Sequence, residues 1–173
     1  IPGTHPDKGA YFNRGTSRDE YAIYTEKGDV YEKNLQRLEL KWATAPQHLP
    51  KPIETTRDES SAIGIIHFGT SLEATREAID VMTNNGQTAN DLRVLAFPFH
   101  EEVEAFIEKH DYIFIVEQNR DAQFKSLIVN ELEIAPKRLK SILHFNGDPI
   151  SAPIILASIE QVLGQEKQSA NVA

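Results

Sequence analysis

From residue 62 onward the chain alternates short, nearly continuous apolar runs with segments of helical period, and this alternation limits the fold more than any other feature. The runs 62–68 (rich in Ile), 92–97, 112–116 and 139–145 each read as a strand apolar on both faces. Gly69-Thr70-Ser71 opens a helix that stops at Asn84-Asn85-Gly86, with Thr70 and Glu73 at capping-box spacing. The segment 100–110 sets Val103, Phe106 and Ile107 at helical spacing, and 120–133 does the same with Phe124, Leu127, Ile128, Glu131 and Leu132 before Pro136 interrupts it. After the turn Asn146-Gly147-Asp148-Pro149 a last helix is expected over 151–163, with Gly164 as its C-terminal cap. Four such strands separated by helices predict an α/β domain over 62–165, a three-layer, mostly parallel sheet covered on both faces, followed by a flexible tail over 166–173.

The N-terminal third reads differently. Residues 1–28 hold four of the nine glycines and three of the five tyrosines without a sustained apolar period, which predicts an ordered loop. From Asp29, a candidate N-cap, Tyr31, Leu35, Leu38 and Trp42 recur at spacings of 4, 3 and 4, so one face of a helix to about residue 43 carries an apolar stripe that requires a cover. Pro46, Pro50 and Pro52, then a polar stretch over 54–61, predict a linker over 44–61 and a domain boundary near 61. The first residue is Ile1, so the chain reads as a piece of a longer protein.

Composition removes several chemistries. The 173 residues contain no Cys, which excludes disulfides, thiolate zinc sites and an iron–sulfur cluster held by this chain alone. Eighteen basic against twenty-six acidic residues give a net charge of -8, which argues against duplex nucleic acid or an anionic membrane as partner. No apolar run approaches the roughly 20 residues that span a bilayer, and no secretory signal is visible, so a cytoplasmic location is expected.

The motif inventory is sparse. The six histidines stand at none of the spacings of a metal-binding pair, and no G-x-G-x-x-G, Walker-type or G-x-S-x-G sequence occurs. Gly69-Thr70-Ser71, at a strand-to-helix turn, has the setting that takes an anion in nucleotide folds, although a lone glycine there more often serves backbone geometry. Glu101, Glu102, Glu104 and Glu108 read as the solvated face of their helix. Two clusters stand out. Glu117-Gln118-Asn119-Arg120-Asp121 lies at the C-terminal edge of the third strand, where open α/β sheets place ligands and contacts; its plain reading is a loop with Asn119 as N-cap. Arg14 to Glu20 mixes guanidinium groups, hydroxyls and carboxylates beside Tyr11, Phe12 and Tyr21, which suits recognition of a carboxylate or phosphate and equally suits internal ion pairs.

At these clusters the sequence resembles a known family. Pro2-Gly3-Thr4-His5-Pro6, Gly9-x-Tyr11-Phe12-x-Arg14-Gly15-Thr16-Ser17-Arg18-Asp19-Glu20-Tyr21-Ala22, Tyr24-Thr25-Glu26 and Val116-Glu117-Gln118-Asn119-Arg120-Asp121-Ala122-Gln123 closely resemble the alpha subunit of 2-oxoacid:ferredoxin (acceptor) oxidoreductases, in particular the 2-oxoglutarate type. The resemblance implies the C-terminal part of that subunit: residues 1–61 as the tail of a domain facing the thiamine pyrimidine plus a connector, then a domain similar to the C-terminal domain of transketolase. It implies oxidative decarboxylation of a 2-oxoacid to an acyl-coenzyme A with reduction of ferredoxin. Thiamine diphosphate, Mg²⁺ and the iron–sulfur cluster would come through a beta subunit, and this chain would bind none of them alone. A homodimer of alpha–beta units is the implied assembly. The segment that supplies substrate-binding and thiamine contacts in the family lies upstream of Ile1, so no catalytic residue carries over and the isolated chain is expected to be inactive. What carries over is a loop near the active-site mouth or subunit interface, with Arg14, Thr16, Ser17, Arg18 and Asp19, and a partner-facing group, Glu117, Gln118, Asn119 and Arg120.

Three alternatives stand beside this reading: a stand-alone module taking an anion, nucleotide or coenzyme A at the Gly69 to Ser71 turn; the same reaction on pyruvate or another 2-oxoacid; and a different thiamine enzyme, a transketolase or 2-oxoacid dehydrogenase, using the same domain.

Overall fold

The structure, a computed structural model, describes residues 17–170 together with His5, Asp7, Lys8 and Gly15. Arg14 and Thr16 lie outside the described residues. The chain divides after His48 into two compact units.

In the first unit, two short strands, β1 (Ser17–Arg18) and β2 (Tyr24–Thr25), pair antiparallel, with Ser17 opposite Thr25. The stretch read from sequence as a loop is therefore a hairpin. Asp19 makes its turn: its backbone N–H donates to the Ile23 carbonyl at 2.9 Å, and its Oδ1 accepts from the Tyr21 and Ile23 N–H groups, each at 2.9 Å. Gly15, at φ +97°, packs where a Cβ would overlap the Tyr24 ring. Helix α1 (Gly28–Thr44) follows with Lys27 rather than Asp29 at the N-cap and no side chain capping it. Its stripe of Tyr31, Leu35, Leu38 and Trp42 is 41–51% exposed, and α1 contains no buried residue.

In the second unit, a five-stranded sheet runs in the order β3 (Ile53–Thr55), β5 (Asn90–Val94), β4 (Ile63–Phe68), β6 (Tyr112–Glu117), β7 (Leu139–Leu143). The last four are parallel, and β3 joins β5 antiparallel with Glu54 opposite Leu92. The expected α/β architecture holds, with one strand more than the sequence reading and with residues 49–61 inside this unit rather than serving as a linker. Alternation of side chains on the pleat sorts the core. Ile63, Ile65, Phe114, Val116 and Ile142 face helices α2 (Leu72–Asn84) and α5 (Ala152–Ala170). Ile66, Leu92, Ile113, Ile115 and Leu139 face α3 (Glu101–Lys109) and α4 (Gln123–Leu132). Gly64 permits this second layer: a Cβ there would stand 2.7 Å from Phe106 Cε1 and 2.9 Å from Ile113 Cδ1.

Helix ends follow local chemistry. Gly86, at φ +80°, closes α2 in a Schellman turn, Gln87 N–H donating to the Met82 carbonyl and Gly86 N–H to that of Thr83, both at 3.0 Å. The Thr70–Glu73 capping box does not form; Ser71 is the N-cap, without a side-chain bond. His100 caps α3 by accepting from Glu102 N–H. Helix α5 continues through Gly164 to Ala170, past the expected stop and into the segment expected to be a flexible tail, because a single glycine in a helix costs only about 1 kcal/mol.

Candidate functional site

Strand β4 has neighbours on both sides, and its following helix, α2, lies on the sheet face opposite to α3 and α4, which follow the neighbouring strands. Loops therefore diverge at the carboxyl ends of β5, β4 and β6, and this divergence opens the crevice where α/β sheets hold ligands.

On the β6 side, Gln118 fills the divergence. Its Nε2 donates to Thr70 Oγ1 at 2.9 Å and to Ser71 Oγ at 3.4 Å, and its Oε1 accepts from Ile150 N–H at 3.2 Å. One amide thus ties the loops after β4, β6 and β7 together. Glu117 is fully buried and spends its carboxylate inside the fold: Oε2 accepts from Phe124 N–H and Asn119 Nδ2, both at 2.7 Å, and Oε1 from Lys125 N–H at 3.2 Å. It caps α4 from the preceding strand, the role read from sequence for Asn119. Ala122, at φ +51°, is the formal N-cap, and Asn119 Oδ1 instead accepts from Asp121 and Gln123 N–H at 3.1 and 3.2 Å, shaping the loop. Arg120, with 73% of its side chain exposed, holds Asp121 Oδ1 at 2.7 Å. Of the four residues expected to face a partner, Arg120 is well exposed and Glu117 is wholly internal. Beside Gln118, His144, Phe145, Gly147 and Asp148 line a cavity of about 330 Å³, in which His144 Nε2 donates to the Asp148 carbonyl at 2.9 Å.

On the β5 side, the divergence is open. A groove of about 490 Å³ is lined by Phe68, Gly69, Arg93, Leu95, Phe99 and Phe124, among others. It is aromatic: the Phe68 and Phe124 rings stand 4.7 Å apart, Phe97 and Phe99 5.0 Å, Phe99 and Phe124 6.0 Å.

In the first unit, Ser17 is buried with no partner for its Oγ, and Asn34 Nδ2 reaches the Arg18 carbonyl at 3.4 Å. Arg18, Asp19, Glu20, Ala22, Asn34 and Arg37 line a cleft of about 410 Å³. Arg37 spends Nε and Nη2 on Asn34 Oδ1, and Lys33 pairs with Glu20 at 3.1 Å, so internal pairing accounts for part of this cluster. The Tyr24 hydroxyl bonds the Glu26 carboxylate, which raises its pKa.

Sequence reading missed a polar network along β5. Asp91 accepts from Arg57 Nη1 with Oδ1 and meets His67 Nε2 with Oδ2, both at 3.0 Å, while Arg57 also reaches Asp80 at 3.3 Å. Asn90 Oδ1 accepts from Arg57 and Asp58 N–H, and its Nδ2 donates to the Asp58 carbonyl and to His110 Nε2. His110 Nδ1 faces the Phe106 carbonyl at 2.8 Å, which fixes the proton on Nδ1. The signal was an Asn-Asp pair at the start of a buried strand.

Among the described residues, no group of three or more His, Asp or Glu side chains is placed to hold a metal ion, and the sequence has no Cys. No described helix is long and apolar enough to cross a membrane.

No family model and no curated protein matches the chain in sequence. Its fold is similar to that of 2-oxoglutarate:ferredoxin oxidoreductase from Magnetococcus marinus, with a TM-score of 0.76 at 18% identity over 92% of this chain and 27% of that one. It is also similar to a split-gene transketolase, an inactive β4 tetramer, at a TM-score of 0.50 and 14% identity over 65% of this chain and 42% of that one. The alpha chain of a probable 2-oxoacid ferredoxin oxidoreductase from Thermoplasma acidophilum is 25% identical over 66% of this chain and 97% of its own length, with a TM-score of 0.46. The fold is a transketolase-like α/β fold, and the chain spans about a quarter of the oxidoreductase chain it resembles.

Proposed function

We propose that this chain is the C-terminal part of the alpha subunit of a 2-oxoacid:ferredoxin oxidoreductase of the 2-oxoglutarate type. In this reading it shapes the subunit interface and does not carry out the chemistry itself. The observation that carries the reading is the similarity of its fold, over 92% of its length, to a 2-oxoglutarate:ferredoxin oxidoreductase chain, taken with the resemblance to that family at residues 2–6, 9–22, 24–26 and 116–123. The ligands bound to the Magnetococcus marinus enzyme, 2-oxoglutarate, coenzyme A and succinyl-coenzyme A, fit oxidative decarboxylation followed by acyl transfer.

Thiamine diphosphate, when bound by the assembled enzyme, supplies the electron sink for decarboxylation. In this reading it reaches the assembly with the beta subunit, along with Mg²⁺ and the cluster that passes electrons to ferredoxin. This chain's own residues hold loops. The hairpin with Ser17, Arg18 and Asp19, together with Arg14 and Thr16, borders the active-site mouth or the interface. Gln118 and Asn119 hold the partner-facing loop in one shape, and Arg120, with 73% of its side chain exposed, reaches solvent from it. Glu117 supports that loop from beneath.

The test is assembly. The complete alpha subunit is co-expressed with a candidate Cys-bearing, thiamine-binding beta subunit, and complex formation is compared for the parent and for Arg14→Ala/Arg18→Ala and Arg120→Ala. Weakened assembly or 2-oxoacid turnover in either variant supports the interface role. Unchanged assembly and kinetics in both would remove it.

A further inference from the structure

We propose that His110 is a proton-operated latch: when its ring takes up a second proton, the loop at 57–58 is freed and edge strand β3 loosens from β5, while the central sheet stays folded. The inference stands independently of the oxidoreductase reading.

The first observation is the direction of the bonds. Asn90 is fully buried, and the main chain of the loop fixes which way its amide lies: Oδ1 accepts from the Arg57 and Asp58 N–H groups at 2.9 and 3.2 Å, and Nδ2 donates to the Asp58 carbonyl at 2.9 Å. The same Nδ2 meets Nε2 of the buried His110 at 3.1 Å, so Nε2 has to accept. On the other side of the ring, Nδ1 stands 2.8 Å from the Phe106 carbonyl and has to donate. Both contacts require one form, the neutral imidazole with its proton on Nδ1.

A second proton breaks this arrangement whichever way it relaxes. On Nε2 it sets an N–H against the Asn90 N–H. A flip of the Asn90 amide satisfies the imidazolium, but it turns the NH2 group onto the Arg57 and Asp58 N–H groups and the oxygen onto the Asp58 carbonyl. In either case the loop loses its buried partner, and the new charge has to reach water. Among the described residues no carboxylate bonds the ring. The charged groups of the surrounding elements are engaged elsewhere: Arg138 with the carbonyls of Ile107, His110 and Asp111, Lys109 with Glu54 and Glu59, Arg57 with Asp80 and Asp91, and Asp58 with Ser60, while Glu108 and Asp111 are exposed. His67 differs, because its Nε2 faces Asp91 and a proton there meets a carboxylate.

The second observation is how little else holds the loop. Strand β3 has three residues, pairs with β5 alone, and exposes Ile53 and Glu54. Arg57–Asp80 and Lys109–Glu59 are surface pairs of small worth, which leaves Arg57–Asp91 as the partly buried tie. Loss of the Asn90 bonds therefore loosens this edge first, and the outer side of β5 becomes open to pairing with another strand.

The experiment is amide hydrogen exchange of the ¹⁵N-labelled chain at about pH 7.5 and about pH 5.5, corrected for intrinsic rates, with the His110 ring ¹⁵N shifts read on the same sample. The open form takes up a proton as a solvated imidazole does and the closed form has no place for it, so closure is favoured at the higher pH and lost as pH falls. Protection of the Arg57 and Asp58 amides should drop about tenfold over that interval and stay below that of the β4 and β6 amides. The ring should keep its neutral form, protonated at Nδ1, for as long as those two amides are protected. His110→Gln retains an acceptor for Asn90 and cannot be charged, so its protection at Arg57 and Asp58 should be the same at both pH values. Should that variant not fold, the parent's ring shifts decide: a charged His110 with undiminished protection at Arg57 and Asp58 overturns the inference. Protection there that ignores pH, or that equals that of β4 and β6 at both pH values, overturns it as well, the latter by making the acid response global unfolding.

Discussion

Glu117→Ala should be the most damaging single polar substitution in the C-terminal unit. The parent carboxylate is fully buried and accepts three hydrogen bonds, from Phe124 N–H and Asn119 Nδ2 at 2.7 Å and from Lys125 N–H at 3.2 Å. Two of these donors are first-turn amides of α4, which have no intrahelical acceptor. Hydrogen bonds to a charged group contribute about 1.5–3 kcal/mol each, and a buried donor left unsatisfied costs about 1–3 kcal/mol. Partial relaxation and water entry reduce the sum, so the loss is on the order of 3–5 kcal/mol, a third or more of a typical domain's stability. With roughly 1.5 kcal/mol per molar urea for a unit of this size, the midpoint should fall by about 2–3 M at unchanged slope. Glu117→Gln, which keeps one acceptor and turns a donor toward α4, should fall by about half of that. Amide exchange at Phe124 and Lys125 should quicken in both variants, whereas Arg120→Ala should stay within about 0.5 kcal/mol of the parent because its pair is exposed. A Glu117→Ala midpoint within about 0.3 M of the parent's would refute the internal role derived for this carboxylate.

Other substitutions test other parts of the fold. Gly64→Ala places a Cβ 2.7 Å from Phe106 Cε1 and should cost about 1–3 kcal/mol, read as a lower thermal midpoint; no change would mean that α3 gives way freely. Asn90→Asp turns the donor facing the Asp58 carbonyl and His110 Nε2 into an acceptor, and should raise exchange at the Arg57 and Asp58 amides and destabilise the unit by about 2 kcal/mol or more; protection equal to the parent's would contradict the clasp. The Lys51–Glu102 pair gives a pH dependence. The hydrogen bond from Lys51 holds the Glu102 carboxyl below its usual range, so its contribution is present above the ordinary carboxylate pKa and is lost as pH falls through the lowered folded value. The same bond raises Lys51, whose contribution is present below the ordinary lysine pKa and is lost as pH rises through the raised value. Lys51→Met should flatten both limbs slightly, in low salt only; an unchanged low-salt pH profile would show that the pair contributes nothing.

How far the sequence exposed this architecture depended on burial. The runs at 62–68, 112–116 and 139–145 were legible because central parallel strands are apolar on both faces, and the structure places β4, β6 and β7 there to within two residues. Strand β3 was not legible: it is three residues long, antiparallel and at an edge, with Ile53 48% exposed, so neither length nor periodicity marks it. The hairpin of β1 and β2 rests on Asp19 accepting turn amides rather than on any apolar pattern. At the sheet's carboxyl edge, the cluster 117–121 was found by its polarity, but polarity did not tell a buried cap from exposed contacts. Glu117 and Arg120 look alike in sequence, and only the position of the α4 amides decides that one is internal.

The proposed place of this chain is in the alpha subunit of a 2-oxoacid:ferredoxin oxidoreductase. The most direct measurement is ferredoxin reduction by the complete alpha subunit co-purified with its beta subunit, with thiamine diphosphate and coenzyme A, across 2-oxoglutarate, pyruvate and branched 2-oxoacids. The account predicts activity that requires both subunits and is greatest with 2-oxoglutarate; a stable complex without turnover of any 2-oxoacid would contradict it.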